Sequence, residues 1–156
     1  MSSRATAATA PTGPPACPTS SLSAKAGLSQ GTAGSIYQVI DFTNISNVAC
    51  TLFGYPGVSL GAGNPVTQVG AAASRSTGTA ATVVTLGPGQ TGNALLRIVE
   101  AGNYSPATCS PTSTTAIQIY PPNQTTPIFL SYKSTGCASS SVNLLSVSVV
   151  TAGNGG

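Results

Sequence analysis

Apolar and polar residues alternate along most of this chain, and turn signals interrupt the alternation at intervals of roughly 8–15 residues. A period of two places successive side chains on opposite faces of a β-strand. In the segment that contains Ile36, Ile40 and Phe42, these three share one face, on which Gln38 is a polar intruder. No segment repeats at the 3.6-residue period of a helix, and 18 glycines with 12 prolines would interrupt most helices. We therefore predict an all-β fold: an antiparallel, immunoglobulin-like β-sandwich of about eight or nine short strands with two disulfides.

Two pairs of these segments are expected to form hairpins, because each pair is joined by a short stretch of turn residues. The pairs are Leu22–Leu28 with Ile36–Thr43, and Thr115–Tyr120 with Ile128–Tyr132 across Pro121–Thr126.

The four cysteines flank these hairpins. Cys17 precedes the first hairpin and Cys50 follows it, while Cys109 and Cys137 flank the second in the same way. The two cysteines of each pair therefore lie at the open end of one hairpin. Of the three possible connectivities, we predict the disulfides Cys17–Cys50 and Cys109–Cys137.

The domain organisation follows from composition. Residues 1–16 are rich in Ala, Thr, Pro and Ser and are expected to form a flexible linker. Residues 17–150 are predicted to form the β-sandwich domain, and residues 151–156 a flexible tail. Disorder of the whole chain is not expected, because 40% of its residues are hydrophobic and disordered chains combine low hydrophobicity with high net charge.

Charged residues make up only 4% of the chain, against roughly 25% in an average soluble domain. The five basic residues are scattered: Arg4, Lys25, Arg75, Arg97 and Lys133. Neither nucleic-acid binding nor a polybasic membrane contact is expected, because both require clustered positive charge. No apolar run approaches the roughly 20 residues of a transmembrane helix.

Few residue types that commonly carry out catalysis are present in the chain. The chain has no histidine, and its only carboxylate side chains are Asp41 and Glu100. They could form a glycosidase pair, for which the two carboxyl groups must lie about 5–9.5 Å apart. The alternative is two unrelated acids at strand edges, which we favour. We expect no enzyme activity, no cofactor and no metal, since no Cys-x-x-Cys pair and no histidine is present to bind zinc.

An even number of widely spaced cysteines is typical of disulfides formed in an oxidising compartment. We therefore expect an extracellular or cell-surface protein. Residues 2–16 lack the apolar core of a signal peptide, so we expect that the export signal belongs to a segment not included in this chain. Lipid anchoring through such a segment stays open.

Tyrosines beside prolines at turns are the best contact candidates, since tyrosine combines a large apolar face with a hydroxyl group. The candidate ligand-binding residues are Tyr55, Pro56, Tyr120, Pro121 and Asn123. The alternative is that these residues close the ends of the sandwich.

Several motifs together resemble a known family. They include the Cys50–Val58 segment CTLFGYPGV, Leu86–Gln90 (LGPGQ), Gly102–Tyr104 (GNY) and Ile119–Thr125 (IYPPNQT). In this combination the chain resembles the actinobacterial DUF4232 family of secreted and lipoprotein domains, over about residues 17–150. The resemblance implies export and a β-sandwich fold, but it implies no activity and no catalytic residue.

Three functions remain to be compared. The first is a non-catalytic binding module whose partner is a cell-wall polymer or a protein. The second is a structural subunit that self-associates through its sheet edges as a homo-oligomer, because few charges oppose edge pairing. The third is a secreted protease inhibitor that uses the loop Cys109–Pro111.

Overall fold

The computed structural model describes residues 13–155, and these form an all-β protein, as the alternation predicts. We number the strands in chain order. They are β1 Leu22–Thr32, β2 Ser35–Asn44, β3 Cys50–Leu52, β4 Gly57–Ala62, β5 Thr67–Val69, β6 Ser74–Arg75, β7 Val84–Leu86, β8 Thr91–Val99, β9 Pro111–Tyr120, β10 Ile128–Cys137, β11 Leu145–Val147 and β12 Thr151–Ala152. The number of strands exceeds the eight or nine that the sequence predicts, because several strands are only two or three residues long.

The larger sheet has the strand order β1-β2-β8-β11-β6, and β12 also pairs with β8. Its pairings are antiparallel, except that β11 and β6 run parallel. The predicted first hairpin is confirmed as β1–β2, and it contains a bulge in which Gly27 and Leu28 together oppose Val39. A bulge bends the strand that carries it, and here that strand is the outer one.

The smaller sheet has the strand order β10-β9-β4-β5, with antiparallel pairing throughout. The predicted second hairpin is confirmed as β9–β10. It also contains a bulge, in which Tyr132 and Lys133 together oppose Thr115. A separate pair of short strands, β3 and β7, completes the strand pairing of the described residues.

One hydrophobic core joins the two larger sheets. Ile40 and Phe42 of β2 and Leu96 of β8 are fully buried, as are Ile117 and Ile119 of β9. These residues lie on the apolar faces that the period of two predicts. Burying such side chains stabilises the fold by roughly 1.5–3 kcal/mol each.

The two disulfides join Cys17 to Cys50 and Cys109 to Cys137. This is the connectivity expected from the hairpins, and each bond lies at the open end of one hairpin. All four cysteines are buried. Each bond closes a local loop, with sequence separations of 33 and 28 residues.

Residues on both sides of the expected domain take part in backbone pairing. Residues 1–12 of the predicted linker lie outside the described residues, but Pro15 accepts a hydrogen bond from Thr51 N–H at 2.8 Å and Ala16 forms a β-bridge to Thr51. At the other end, Thr151 and Ala152, which fall in the predicted flexible tail, pair with β8. The reason is that β8 is longer than β11. The part of the β8 edge that β11 leaves uncovered pairs with the short strand β12.

In the part of the chain that the structure describes, helical structure is confined to short turns. A helix of four residues, Pro106–Cys109, begins after Ser105, whose hydroxyl accepts a hydrogen bond from Thr108 N–H. Turns of 3₁₀ helix span Thr19–Ser21 and Ala101–Asn103. Within residues 13–155, no helix has the length and hydropathy needed to cross a membrane.

Candidate functional site

A groove of about 640 Å³ opens between the two larger sheets in the described part of the chain. We call it the sheet-edge groove and define it by the residues that line it: Ile36, 98–102, Pro111 and 132–135. Its volume lies within the 300–1,000 Å³ range of small-molecule sites. Apolar side chains of β2 and β8 form one wall, and the edge strand β10 forms the other.

One wall of the groove is fixed by the turn between β1 and β2. The carbonyl of Gly34 accepts hydrogen bonds from Glu100 N–H at 2.9 Å and from the Asn103 side-chain amide at 3.0 Å. Gly34 has φ +76°, a left-handed conformation that glycine adopts without strain. The turn therefore holds the 3₁₀ segment Ala101–Asn103 in place beside the groove.

The other wall is fixed through Gln38. The Tyr132 hydroxyl donates to Oε1 of Gln38 at 3.2 Å, and Nε2 of Gln38 donates to the carbonyls of Gly27 at 3.0 Å and Leu28 at 3.4 Å. Gly27 and Leu28 form the β1 bulge, and Tyr132 belongs to the β10 bulge. Gln38, which is 2% exposed, thus links the bulges of the two outer strands.

This arrangement perturbs one titratable group. Burial raises the pKa of the Tyr132 phenol above its ordinary value of 10.0, because the charged phenolate is desolvated there. The phenol is therefore neutral over the physiological range and acts as a hydrogen-bond donor to Gln38.

Two opposite charges line the sheet-edge groove, Glu100 beside the 3₁₀ segment and Lys133 in the β10 bulge. Both residues are exposed. Neither side chain has a hydrogen bond or ion pair among the described residues. Both charges are therefore free to interact with a ligand.

The tyrosine–proline loops that the sequence singles out lie together at one end of the smaller sheet, because Tyr120 of β9 pairs with Gly57 of β4. The Tyr120 ring packs over Gly57, where an added Cβ would lie 3.6 Å from Cδ2 of the ring. Pro56 and Pro121 are buried, while Asn123 is exposed in the turn with φ 65°. None of these residues lines the sheet-edge groove.

Both tyrosine hydroxyls in this cluster have partners within the protein. Tyr55 donates to the Ser76 carbonyl at 2.7 Å, and its ring lies 5.1 Å from the Arg75 guanidinium. The Tyr120 hydroxyl accepts a hydrogen bond from the Gln118 amide at 2.9 Å. The Tyr55 contacts tie its loop to the segment that contains Arg75 and Ser76, whereas the Gln118–Tyr120 hydrogen bond lies within the single strand β9.

The two carboxylates do not form a pair. Asp41 is opposite Asn93 in the sheet, while Glu100 follows Val99, which is opposite Ser35. Along β2, Asp41 and the position beside Glu100 are therefore separated by six residues. At about 3.3 Å per residue this is a distance of roughly 20 Å. A glycosidase pair needs a much closer approach.

Asp41 is fully buried beneath the C-terminal segment. Its Oδ1 accepts a hydrogen bond from Gly155 N–H at 3.2 Å, while Oδ2 has no hydrogen-bond partner. Among the described residues, no three His, Cys, Asp or Glu side chains are grouped closely enough to bind a metal.

A comparison with protein-family models decides the family. The model for DUF4232, a domain of unknown function, matches residues 17–151. The chain belongs to the DUF4232 family. No curated protein and no solved structure matches it.

Sequence reasoning about this DUF4232 domain missed the groove and the role of Gln38. The one available signal was that Gln38 interrupts an otherwise apolar strand face, which requires a buried polar partner. The partner, Tyr132, is 94 residues away along the chain. Nothing in the local pattern around Glu100 or Lys133 indicates that they line the same cavity.

Proposed function

We propose that this DUF4232 domain is a non-catalytic binding module that works outside the cell or at its surface. Its ligand, a cell-wall polymer or a protein partner, occupies the sheet-edge groove. The observation that carries the proposal is the groove itself, with apolar walls and two opposite charges, Glu100 and Lys133, that have no partner among the described residues. Ligand sites combine apolar lining with a few polar groups in this way.

An extracellular setting is supported by chemistry and by family. Two buried disulfides are stable where thiols are oxidised. The resemblance to secreted and lipoprotein members of the family implies the same compartment. A cell-surface ligand is the partner that an exported domain meets there.

A binding role rather than catalysis is supported by the distribution of acids. Glu100 has no second carboxylate near it, because Asp41 lies at the other end of β2 beneath the C-terminal segment. Acid–base hydrolysis of a glycosidic bond requires two cooperating groups. In this groove Glu100 can instead act as a fixed charge that attracts a cationic group.

The alternative functions receive less support. For assembly through sheet edges, both long outer strands, β1 and β10, carry a bulge and a lysine, and these features oppose edge pairing. For protease inhibition, Pro111 begins β9 opposite Cys137, and the Ser110 carbonyl accepts a hydrogen bond from Ala138 N–H. The Cys109–Pro111 loop therefore does not protrude.

The test is retention on purified wall fractions and on immobilised secreted proteins. Gly102→Trp places a large ring at the lining of the groove, and a Cβ at this position meets no atom within 4 Å. The matched control is Val83→Trp at a site that is 64% exposed and outside the groove. We expect the wild type and the control to be retained and Gly102→Trp to be lost. Failure of the wild type to bind any fraction, or equal retention of both variants, would contradict the proposal.

A further inference from the structure

The groove runs along the edge of β10. Its lining includes four consecutive residues of that strand, 132–135. Successive side chains of a strand point to opposite faces, so a cavity that touches all four lies along the backbone edge and not over one face. β10 is the terminal strand of the smaller sheet, and its outer edge has no strand partner among residues 13–155.

We propose that the sheet-edge groove binds a short extended peptide that adds to this edge of β10 and carries both a cationic and an anionic group. This inference rests on the proposed binding function and names its ligand class. An extended peptide at a sheet edge gains affinity from main-chain hydrogen bonds and specificity from alternate side chains. Glu100 would pair with the cationic group, and Lys133 with the anionic group.

The composition of the lining favours a peptide over a glycan. Among the described residues of the groove, Tyr132 is the only aromatic one, and its hydroxyl already donates to Gln38. The groove therefore lacks a broad aromatic platform for a sugar ring. A peptide instead uses what the groove provides, namely backbone groups, two opposite charges and apolar walls.

The bulge limits how long the added strand can be. Tyr132 and Lys133 together oppose Thr115, so the regular hydrogen-bonding spacing of the β10 edge is broken there. An edge interrupted in this way suits a few residues of peptide better than the long uninterrupted strand of a second copy of this chain.

The test uses two blocked pentapeptides of the same composition, acetyl-Lys-Val-Thr-Val-Glu-amide and acetyl-Glu-Val-Thr-Val-Lys-amide, and isothermal titration calorimetry. Because the two charges of the groove have fixed positions, we expect one order to bind about tenfold more tightly than the other. The double variant Glu100→Lys/Lys133→Glu should reverse the preference. The control Arg75→Glu, which places a reversed charge outside the groove, should leave it unchanged.

Backbone pairing is tested separately by N-methylation of the central amides of the preferred peptide. The loss of these donors should weaken binding by about tenfold, and amide exchange should show protection of residues 131–135 only with the unmethylated peptide.

If neither peptide binds, or if both orders bind equally to the wild type and to the charge-swapped variant, the peptide inference is wrong. Retention of wall glycan by the wild type and not by Gly102→Trp would in that case leave the proposed binding function standing. If neither the peptide preference nor the selective retention of wall glycan is observed, both the peptide inference and the proposed binding function are wrong.

Discussion

The hydroxyl of Tyr132 donates a hydrogen bond to the side-chain oxygen of Gln38 at 3.2 Å, although the two residues are 94 positions apart. Through the amide nitrogen of Gln38 the same link reaches the carbonyl of Gly27 in the other edge strand. One buried amide therefore fixes the outer strand of each sheet, and with it one wall of the candidate ligand groove.

Removing this hydrogen bond should measurably destabilise the fold. Tyr132→Phe leaves the Gln38 oxygen without a donor in a buried position, so the free energy of unfolding should fall by about 1 kcal/mol. Urea unfolding measures the change. The control is Tyr104→Phe, since Tyr104 is 37% exposed and its hydroxyl has no partner among the described residues. Equal effects of the two variants would contradict the assigned role.

Stability should decline at alkaline pH in part through Tyr132. Burial raises the pKa of Tyr132 above 10.0, so the folded state holds the phenolic proton more tightly than the unfolded state does. Its contribution is complete below about pH 10 and is lost as the pH rises through the folded pKa. Urea unfolding at about pH 8 and about pH 11 should show the wild type losing more stability than Tyr132→Phe. Parallel losses in both proteins would rule this contribution out.

Each disulfide should contribute about 3–4 kcal/mol, because the two bonds close loops of similar length. The paired variants Cys17→Ala/Cys50→Ala and Cys109→Ala/Cys137→Ala should therefore lose comparable stability in guanidinium unfolding. Reduced wild type, which lacks both bonds, should be less stable than either variant. A loss confined to one pair would show that residual structure in the unfolded chain outweighs loop entropy.

The edge lysines should keep the protein monomeric. Lys25 lies on β1 and Lys133 on β10, the two long outer strands. We expect the wild type to be monomeric in analytical ultracentrifugation and Lys25→Thr/Lys133→Thr to self-associate, because charge at a sheet edge opposes pairing. Arg4→Gln/Arg97→Gln is the control, since it removes the same net charge and Arg97 lies on the inner strand β8. Association of the wild type itself would instead favour the assembly hypothesis.

The C-terminal segment should be part of the stable fold. Truncation after Val150 removes the pairing of β12 with β8 and the Gly155 hydrogen bond to Asp41, and it should lower the free energy of unfolding by about 1–3 kcal/mol. Truncation after Gly153 keeps the strand pairing and removes the hydrogen bond to Asp41 together with the interaction that Asn154 makes, so its loss should be smaller. Unchanged stability in both truncations would mean that the segment contributes nothing.

Gly70 lies directly against the backbone of Cys137, which belongs to the second disulfide. It has φ +76°, and a Cβ there would clash with the carbonyl oxygen of Cys137. This requirement for glycine follows from a contact between chain segments 67 residues apart in the sequence, and the local sequence does not indicate it.

The local sequence is sufficient to predict that the protein is all-β, which faces of the main strands are apolar, where the two hairpins form and how their cysteines pair. The strand period is a property of neighbouring residues, and each disulfide closes a loop around one hairpin. The strand order of the sheets, in contrast, depends on long-range pairing.

That order determines which strands are outer, and therefore that Lys25 and Lys133 stand at edges and that Gln38 meets Tyr132. The groove, the burial of Asp41 and the additional strand pair at Thr151–Ala152 depend on the same long-range pairings. A period of two says which side of a strand is buried, but it carries no information about which strand becomes its neighbour.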